Sequence, residues 1–219
     1  MKQAVTSFKE LTDRAIAHLT GVEPRLATLV AAYGTPHLTS DPRYFRTIVS
    51  AIVSQQLSGR VADVFMSRLE NLFPTPEGLN AANLAATSPE TLRSIGLSAA
   101  KIISLHDLAQ RIVDGLLQLD QLDELDDDII VSQLSAVRGI GRWTAEMFLV
   151  FSLNRPDVWP TLDLGIRKAT ARLFAMPALP KPKELAAIAE PWRPYRTVAS
   201  LLLWRSLDNR PDGGDQPLP

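Results

Sequence analysis

The sequence of 219 residues contains no cysteine. That single absence excludes thiol nucleophiles, disulfides, cysteine-ligated zinc and iron–sulfur clusters. Long apolar runs are lacking as well. No stretch approaches the roughly 18 consecutive apolar residues of a membrane-spanning helix. Lys2, Lys9 and Glu10 interrupt the N-terminal segment where a secretory signal needs an unbroken apolar region. The expectation is a soluble, cytoplasmic protein with no membrane partner, nucleoid-associated if its source is bacterial. Histidine is scarce: His18, His37 and His106 lie far apart and show no ligand spacing for a metal. No glycine-rich phosphate loop followed by Lys-Ser/Thr occurs.

Net charge is nearly absent too, at −1 from 23 basic and 24 acidic residues. On its face that balance argues against a nucleic-acid partner. The acids are not spread evenly, however. Six of them, Asp120, Asp123, Glu124, Asp126, Asp127 and Asp128, fall within one short stretch that reads as a solvated turn with helix caps. Without those six, 18 acidic residues face 23 basic ones, so a basic surface elsewhere is permitted. Arg138, Arg142, Arg167, Lys168 and Arg172 are its candidates.

What the chain has in quantity is helical periodicity, with almost no strand-like alternation. Phe45, Ile48, Val49, Ile52 and Val53 make one apolar stripe, and Val61, Val64, Phe65, Leu69 and Leu72 a second. Thr87-Ser88-Pro89-Glu90 has the form of a capping box, Ser98 can cap a helix running to Val113 or Asp114, and Gly115 stands at its expected stop. Further helices are predicted over 129–137, 142–153, 163–174, 183–190 and 194–207, for a total of roughly ten. Residues 209–219, rich in Pro, Gly and Asp, read as a disordered tail.

Two helical patterns meet at Ser135-Ala136-Val137-Arg138-Gly139-Ile140-Gly141-Arg142-Trp143-Thr144-Ala145. Glycines allow a turn of positive φ and close approach by another backbone. The turn opens directly into a helix, so backbone N–H groups and the positive end of the helix dipole converge on a spot suited to a phosphate. Arg138 and Arg142 flank it and add charge to a contact indifferent to base sequence.

The whole string resembles the helix-hairpin-helix of DNA glycosylases, and Gly-Ile-Gly-Arg-Trp-Thr-Ala resembles the 3-methyladenine DNA glycosylase II family. Such a resemblance implies an aspartate about twenty residues on, just after a proline. The chain supplies Trp159-Pro160-Thr161-Leu162-Asp163-Leu164-Gly165. Asp163 matches the family's catalytic aspartate. At a helix N-terminus a carboxylate faces backbone donors and the positive dipole end. There it could stabilise the oxocarbenium character of a sugar losing its base, or orient the attacking water. Both roles remain open from sequence.

The resemblance further implies a base pocket formed by Trp143, Met147, Leu164 and Trp204, and DNA contacts by Arg138, Gly139, Ile140, Gly141, Arg142 and Thr144. A tryptophan face attracts an alkylated, positively charged base. For Trp204, a pocket wall and a core position fit equally well. Met147 replaces a pocket tyrosine of the better-known enzyme and Leu164 an aromatic, so the pocket is less aromatic. Gln55, Gln56 or Leu57, at the end of an apolar helix, is a candidate wedge for the gap left by a flipped nucleotide, the alternative being an ordinary loop. No cofactor is required by the resemblance, although a monovalent cation on the backbone carbonyls of Ser135, Val137 and Ile140 is implied.

The expected architecture is therefore all-α, the two-lobed helix-hairpin-helix DNA glycosylase fold without an N-terminal β domain. Residues 42–149 would form the central bundle, and 1–41 with 150–208 the second lobe. The expected partner is double-stranded DNA containing damaged bases, bound by a monomer. The function implied is excision of alkylated purines, 3-methyladenine, 7-methylguanine and ethenoadenine among them. The alternatives are a mismatch or deaminated-base glycosylase of the same fold, and a non-enzymatic helix-hairpin-helix DNA-binding module. Strand-cleaving relatives place a lysine nucleophile where this chain has Trp143, and an indole cannot form a Schiff base. Incubation with damaged duplex and borohydride should therefore yield no covalent adduct in a denaturing gel, and a trapped adduct would refute monofunctional chemistry.

Overall fold

The computed structural model describes residues 8–38 and 41–207; the tail expected over 209–219 lies outside the described residues. These carry twelve α-helices and no strand. They form two compact units, one of residues 8–38 and 149–207 and one of residues 41–148.

The second unit contains α3 (Tyr44–Ser54), α4 (Gly59–Glu70), α5 (Ala81–Ala86), α6 (Pro89–Ser94), α7 (Ala99–Val113) and α8 (Asp127–Ser135). The stripe read on α3 is buried at Ile48, Val49, Ile52 and Val53. The stripe read on α4 is rotated. Val61 and Val64 are exposed, and the buried residues are Ala62, Met66 and Leu69. Bulk misled the reading, because the small Ala62 belongs to the face that packs against α3. The cap of α6 also differs from the expected box. Ser88, rather than Thr87, accepts from the Thr91 N–H, at 3.2 Å, while the Thr87 hydroxyl bonds back to the Asn83 carbonyl. Ser98 caps α7 as expected. The acidic run forms a 3-10 turn, Leu119–Glu124, and then the start of α8, with Asp127 and Asp128 in the first turn at the favourable end of the dipole.

Helix α9 (Arg142–Phe151) begins in this unit and ends in the other. It stops two residues before its expected end because Asn154 adopts a left-handed φ of 50° and the Arg155 N–H turns back to the Leu149 carbonyl at 2.9 Å.

The first unit contains α1 (Phe8–Val22), α2 (Pro24–Tyr33), α10 (Leu164–Leu173), α11 (Pro182–Ile188) and α12 (Arg196–Leu207). Residues Thr197 to Leu203 of α12 are all buried, as expected of a helix covered on every side. Its first turn is fixed by Asp157, which takes a bidentate ion pair from Arg196 and a further bond from Arg193. The Arg196 N–H also bonds Asp157, which is why the helix starts there and not at Pro194. Thr197 accepts from the Val158 N–H and donates to the Arg155 carbonyl, clamping the segment that leads to Asp163. Trp159 and Trp192 meet edge to face with centroids 5.2 Å apart. Trp192 is 1% exposed, so Trp192→Ala should lower unfolding free energy by about 3–5 kcal/mol in denaturant titration.

Candidate functional site

In the first unit the chain turns at Pro160, whose carbonyl accepts the Asp163 N–H at 3.0 Å. Asp163 then takes an extended conformation and becomes the N-cap of α10. One carboxylate oxygen, Oδ1, accepts from the Ile166 N–H at 2.7 Å and from the Trp204 indole N–H at 3.0 Å. The residue is 9% exposed. Trp204 in turn stacks on Phe151, with centroids 5.8 Å apart. It packs against the core of the unit without being fully buried, so its indole N–H is spent on orienting the carboxylate. Leu164, the next residue, is exposed.

Gly165 completes the arrangement. A Cβ there would lie 3.0 Å from Asp163 Oδ1 and 3.1 Å from Trp204 Cδ1, so the glycine is what lets the carboxylate and the indole meet. A glycine in the first turn of a helix is costly. That cost in Asp-Leu-Gly was the available sign of a close approach, and the sequence reading passed over it.

In the second unit the hairpin runs from Val137 to Gly141, with Val137 and Ile140 buried and Arg138 and Gly139 at the surface. Ile140 donates its N–H to the Val137 carbonyl at 3.1 Å, and α9 opens as the Ala145 N–H reaches the Gly141 carbonyl. Gly139 has φ +78°, and a Cβ on it would run into Ser104. The positive end of the α9 dipole lies at its first turn, an arrangement of the kind that takes an anion. Trp143 and Thr144 stand in that first turn and Met147 one turn after Trp143. The Trp143 indole is 47% exposed.

The Gln55–Leu57 segment belongs to the same unit. Gln55 donates from its side-chain amide to the Gly139 carbonyl at 2.8 Å, Leu57 closes a turn through its N–H to the Ser54 carbonyl, and the exposed Gln56 takes a left-handed φ of 59° at the tip. The three wedge candidates are thus in three different settings.

Residues 49–194 match the model of the HhH-GPD superfamily base excision DNA repair proteins. The chain belongs to this superfamily. It is 33% identical over 214 residues to DNA-3-methyladenine glycosylase 1 of Schizosaccharomyces pombe, covering 94% of this chain and 90% of that protein. A solved structure of the S. pombe 3-methyladenine DNA glycosylase in complex with abasic DNA superposes with a TM-score of 0.76 at 30% identity, over 92% of this chain and all of that one. A DNA-3-methyladenine glycosidase from Bacillus halodurans gives a TM-score of 0.81 at 31% identity, over 89% of each chain. Within the HhH-GPD superfamily the chain falls with the 3-methyladenine DNA glycosylases, and its helices superpose on solved structures of them.

Two of the basic residues read from the sequence also serve the fold of this HhH-GPD chain. Arg167 spends its Nε on the Pro180 carbonyl and Arg172 its Nη1 on the Ser206 carbonyl, each closing off the first unit. Arg142 pairs with the buried Glu146 at 2.8 Å while its own side chain stays more than half exposed. Arg138 is exposed, and its backbone N–H is held by Asp107 at 2.8 Å. Asp107 itself is held below the ordinary carboxylate range: burial pushes it up, but the Arg138 N–H and the Arg111 guanidinium together outweigh that. No group of three or more His, Asp or Glu side chains able to hold a metal occurs among the described residues. Backbone carbonyls at Ser135, Val137 and Ile140 are hard oxygen donors of the kind a monovalent cation takes, and that of Val137 already accepts one hydrogen bond. Gly139→Ala would impose both a strained φ and a collision with Ser104, so this variant should lose DNA affinity by about tenfold or more in fluorescence anisotropy.

Proposed function

We propose that the protein is a monofunctional N-glycosylase that excises alkylated purines from double-stranded DNA. It acts on 3-methyladenine, 7-methylguanine and ethenoadenine, after turning the damaged nucleotide out of the helix. The observation that carries this reading is the Asp163 carboxylate, whose Oδ1 is fixed by two N–H donors at the start of α10. Similarity to proteins named 3-methyladenine DNA glycosylases supports it.

The chemistry follows from charge. A purine methylated at N3 or N7 is cationic and leaves as a neutral molecule, carrying away the electron pair of the glycosidic bond. The neutral ethenoadenine leaves as a neutral molecule only after a ring nitrogen takes a proton from solvent. The positive charge passes to the sugar, where an oriented carboxylate stabilises it in a site of low water content. Water then adds to the sugar carbon and yields its proton to Asp163 or to solvent. Two donors on one oxygen restrict the rotation of the carboxylate, so little reorganisation is needed as charge develops. In its own unit, Trp143 presents an indole face for stacking and cation–π contact with a cationic base. The hairpin amides and Arg138 take the phosphate backbone, with a monovalent cation on the carbonyls of Ser135, Val137 and Ile140 adding charge there. Gln56, at the exposed tip, is the wedge of choice among the three candidates, because Gln55 is tied to Gly139 and Leu57 is half-buried. The protein acts as a monomer.

The deciding experiment uses Asp163→Asn on methylated genomic DNA, with released bases separated by chromatography. Release should fall by roughly 100- to 1000-fold, while affinity for undamaged duplex stays within about twofold. Release undiminished in the variant would overturn the assignment of Asp163. Hypoxanthine and uracil substrates run alongside should stay intact, and their excision in place of alkylated bases would redirect the reading to deaminated DNA.

A further inference from the structure

Four side chains of α7 lie along one helix face at successive turns: Lys101, Ser104, Asp107 and Arg111. None of them belongs to the hairpin or to the Gln55–Leu57 loop; Ser104 and Asp107 meet the hairpin, and Lys101 meets the last turn of α3, from which the loop departs. Lys101 donates from Nζ to the Val53 carbonyl at 2.7 Å. In a continuing helix that carbonyl would receive the N–H of Leu57, which bonds Ser54 instead. Lys101 thus supplies the missing donor, ends α3 and lets the chain enter the left-handed turn at Gln56. Burial pushes the Lys101 ammonium below its ordinary pKa.

Ser104, three residues on, is buried and turns its hydroxyl to the Ala100 carbonyl of its own helix. Its side chain occupies the space where a Cβ at position 139 would sit, so the hairpin backbone rests directly on it. Asp107 follows, accepting from the Arg138 N–H at 2.8 Å and from Arg111 Nε at 3.0 Å. Gln55, bonded at 2.8 Å to the Gly139 carbonyl, closes the circuit from the loop side. The path runs from Val53 through Lys101, along α7 to Asp107, across to Arg138 and Gly139, and back through Gln55. Three links are hydrogen bonds and the others are helix or one or two residues of backbone.

We infer that Lys101, Ser104 and Asp107 are positioning residues that lock the Gln55–Leu57 loop and the hairpin into one rigid DNA-engaging unit. The two segments then meet the duplex in a fixed relation, and loosening either attachment disturbs both. The consequence for catalysis rests on the glycosylase reading; the mechanical coupling does not.

The test is whether each substitution is felt at the segment it does not touch. Lys101 bonds the last turn of α3 that leads into the loop and has no bond to the hairpin, whereas Asp107 bonds the hairpin and Arg111 of its own helix and has no bond to the loop. The variants are Lys101→Met and Asp107→Asn. Hydrogen exchange on the DNA-free protein should show faster exchange over residues 137–141 in K101M and over residues 53–58 in D107N. In single-turnover base release, both variants should lower the saturating rate by between about tenfold and a hundredfold, and the double variant should be no slower than the worse single one. If either variant fails to fold, Lys101→Gln or Asp107→Ser, each keeping a polar group at its position, should reproduce the remote exchange. Exchange confined to the segment each side chain touches, or rate losses that multiply in the double variant, would overturn the coupling. Absence of base release by the unaltered protein would refute the glycosylase reading alone, since the exchange result requires no substrate.

Discussion

Two hydrogen bonds to a single oxygen set the geometry on which the first unit of this protein depends. The Ile166 N–H that Asp163 Oδ1 accepts is one of the orphan donors at the start of α10. The other bond, from the Trp204 indole, ties that helix start to α12. The same contact thus caps a helix, joins two helices and aims a carboxylate. It exists only because Gly165 has no side chain to hold the carboxylate and the indole apart, and because Asp157 and Thr197 fix the start of α12 and the segment leading to Asp163. The core of the first unit, centred on Trp159 and Trp192, keeps these helices from drifting.

The hairpin in the second unit rests on a comparable economy of backbone groups. Its proposed affinity for phosphate draws on the positive end of the α9 dipole, to which few basic side chains need be added. Two arginines that the sequence offered for a basic surface, Arg167 and Arg172, also close off carbonyls within their own unit. Net charge is therefore a poor guide here. What the site presents is local polarity, from oriented amides with Arg138 beside them, and the six clustered acids belong to a separate turn and helix start.

Much of this was legible in the sequence because it is decided locally. Ser98 and Asp163 cap helices by bonding N–H groups three residues on, and Gly139 adopts a conformation that its neighbours alone suggest. The apolar stripe of α3 was correct for the same reason. The stripe of α4 was not, since a small alanine packed against another helix outranks two exposed valines only once the neighbouring helix is in place. The ends of α9 and α12 moved because Asn154 turned left-handed and Asp157 captured the Arg196 N–H, choices that helical periodicity does not encode.

By itself, then, the sequence determined an all-helical chain, a hairpin shaped for a phosphate, and a capping aspartate in the setting of a DNA glycosylase. Caps, turns and helical periods depend on residues within one or two turns of each other, and that information is contiguous. Only the tertiary structure decided what holds those groups in place. Trp204 reaches Asp163 across 41 residues, Asp107 reaches Arg138 across 31, Lys101 reaches Val53 across 48 and Gln55 reaches Gly139 across 84. None of these pairs has a sequence signature, because a side chain that bonds a group tens of residues away reads, from its own neighbours, as an ordinary position on its helix.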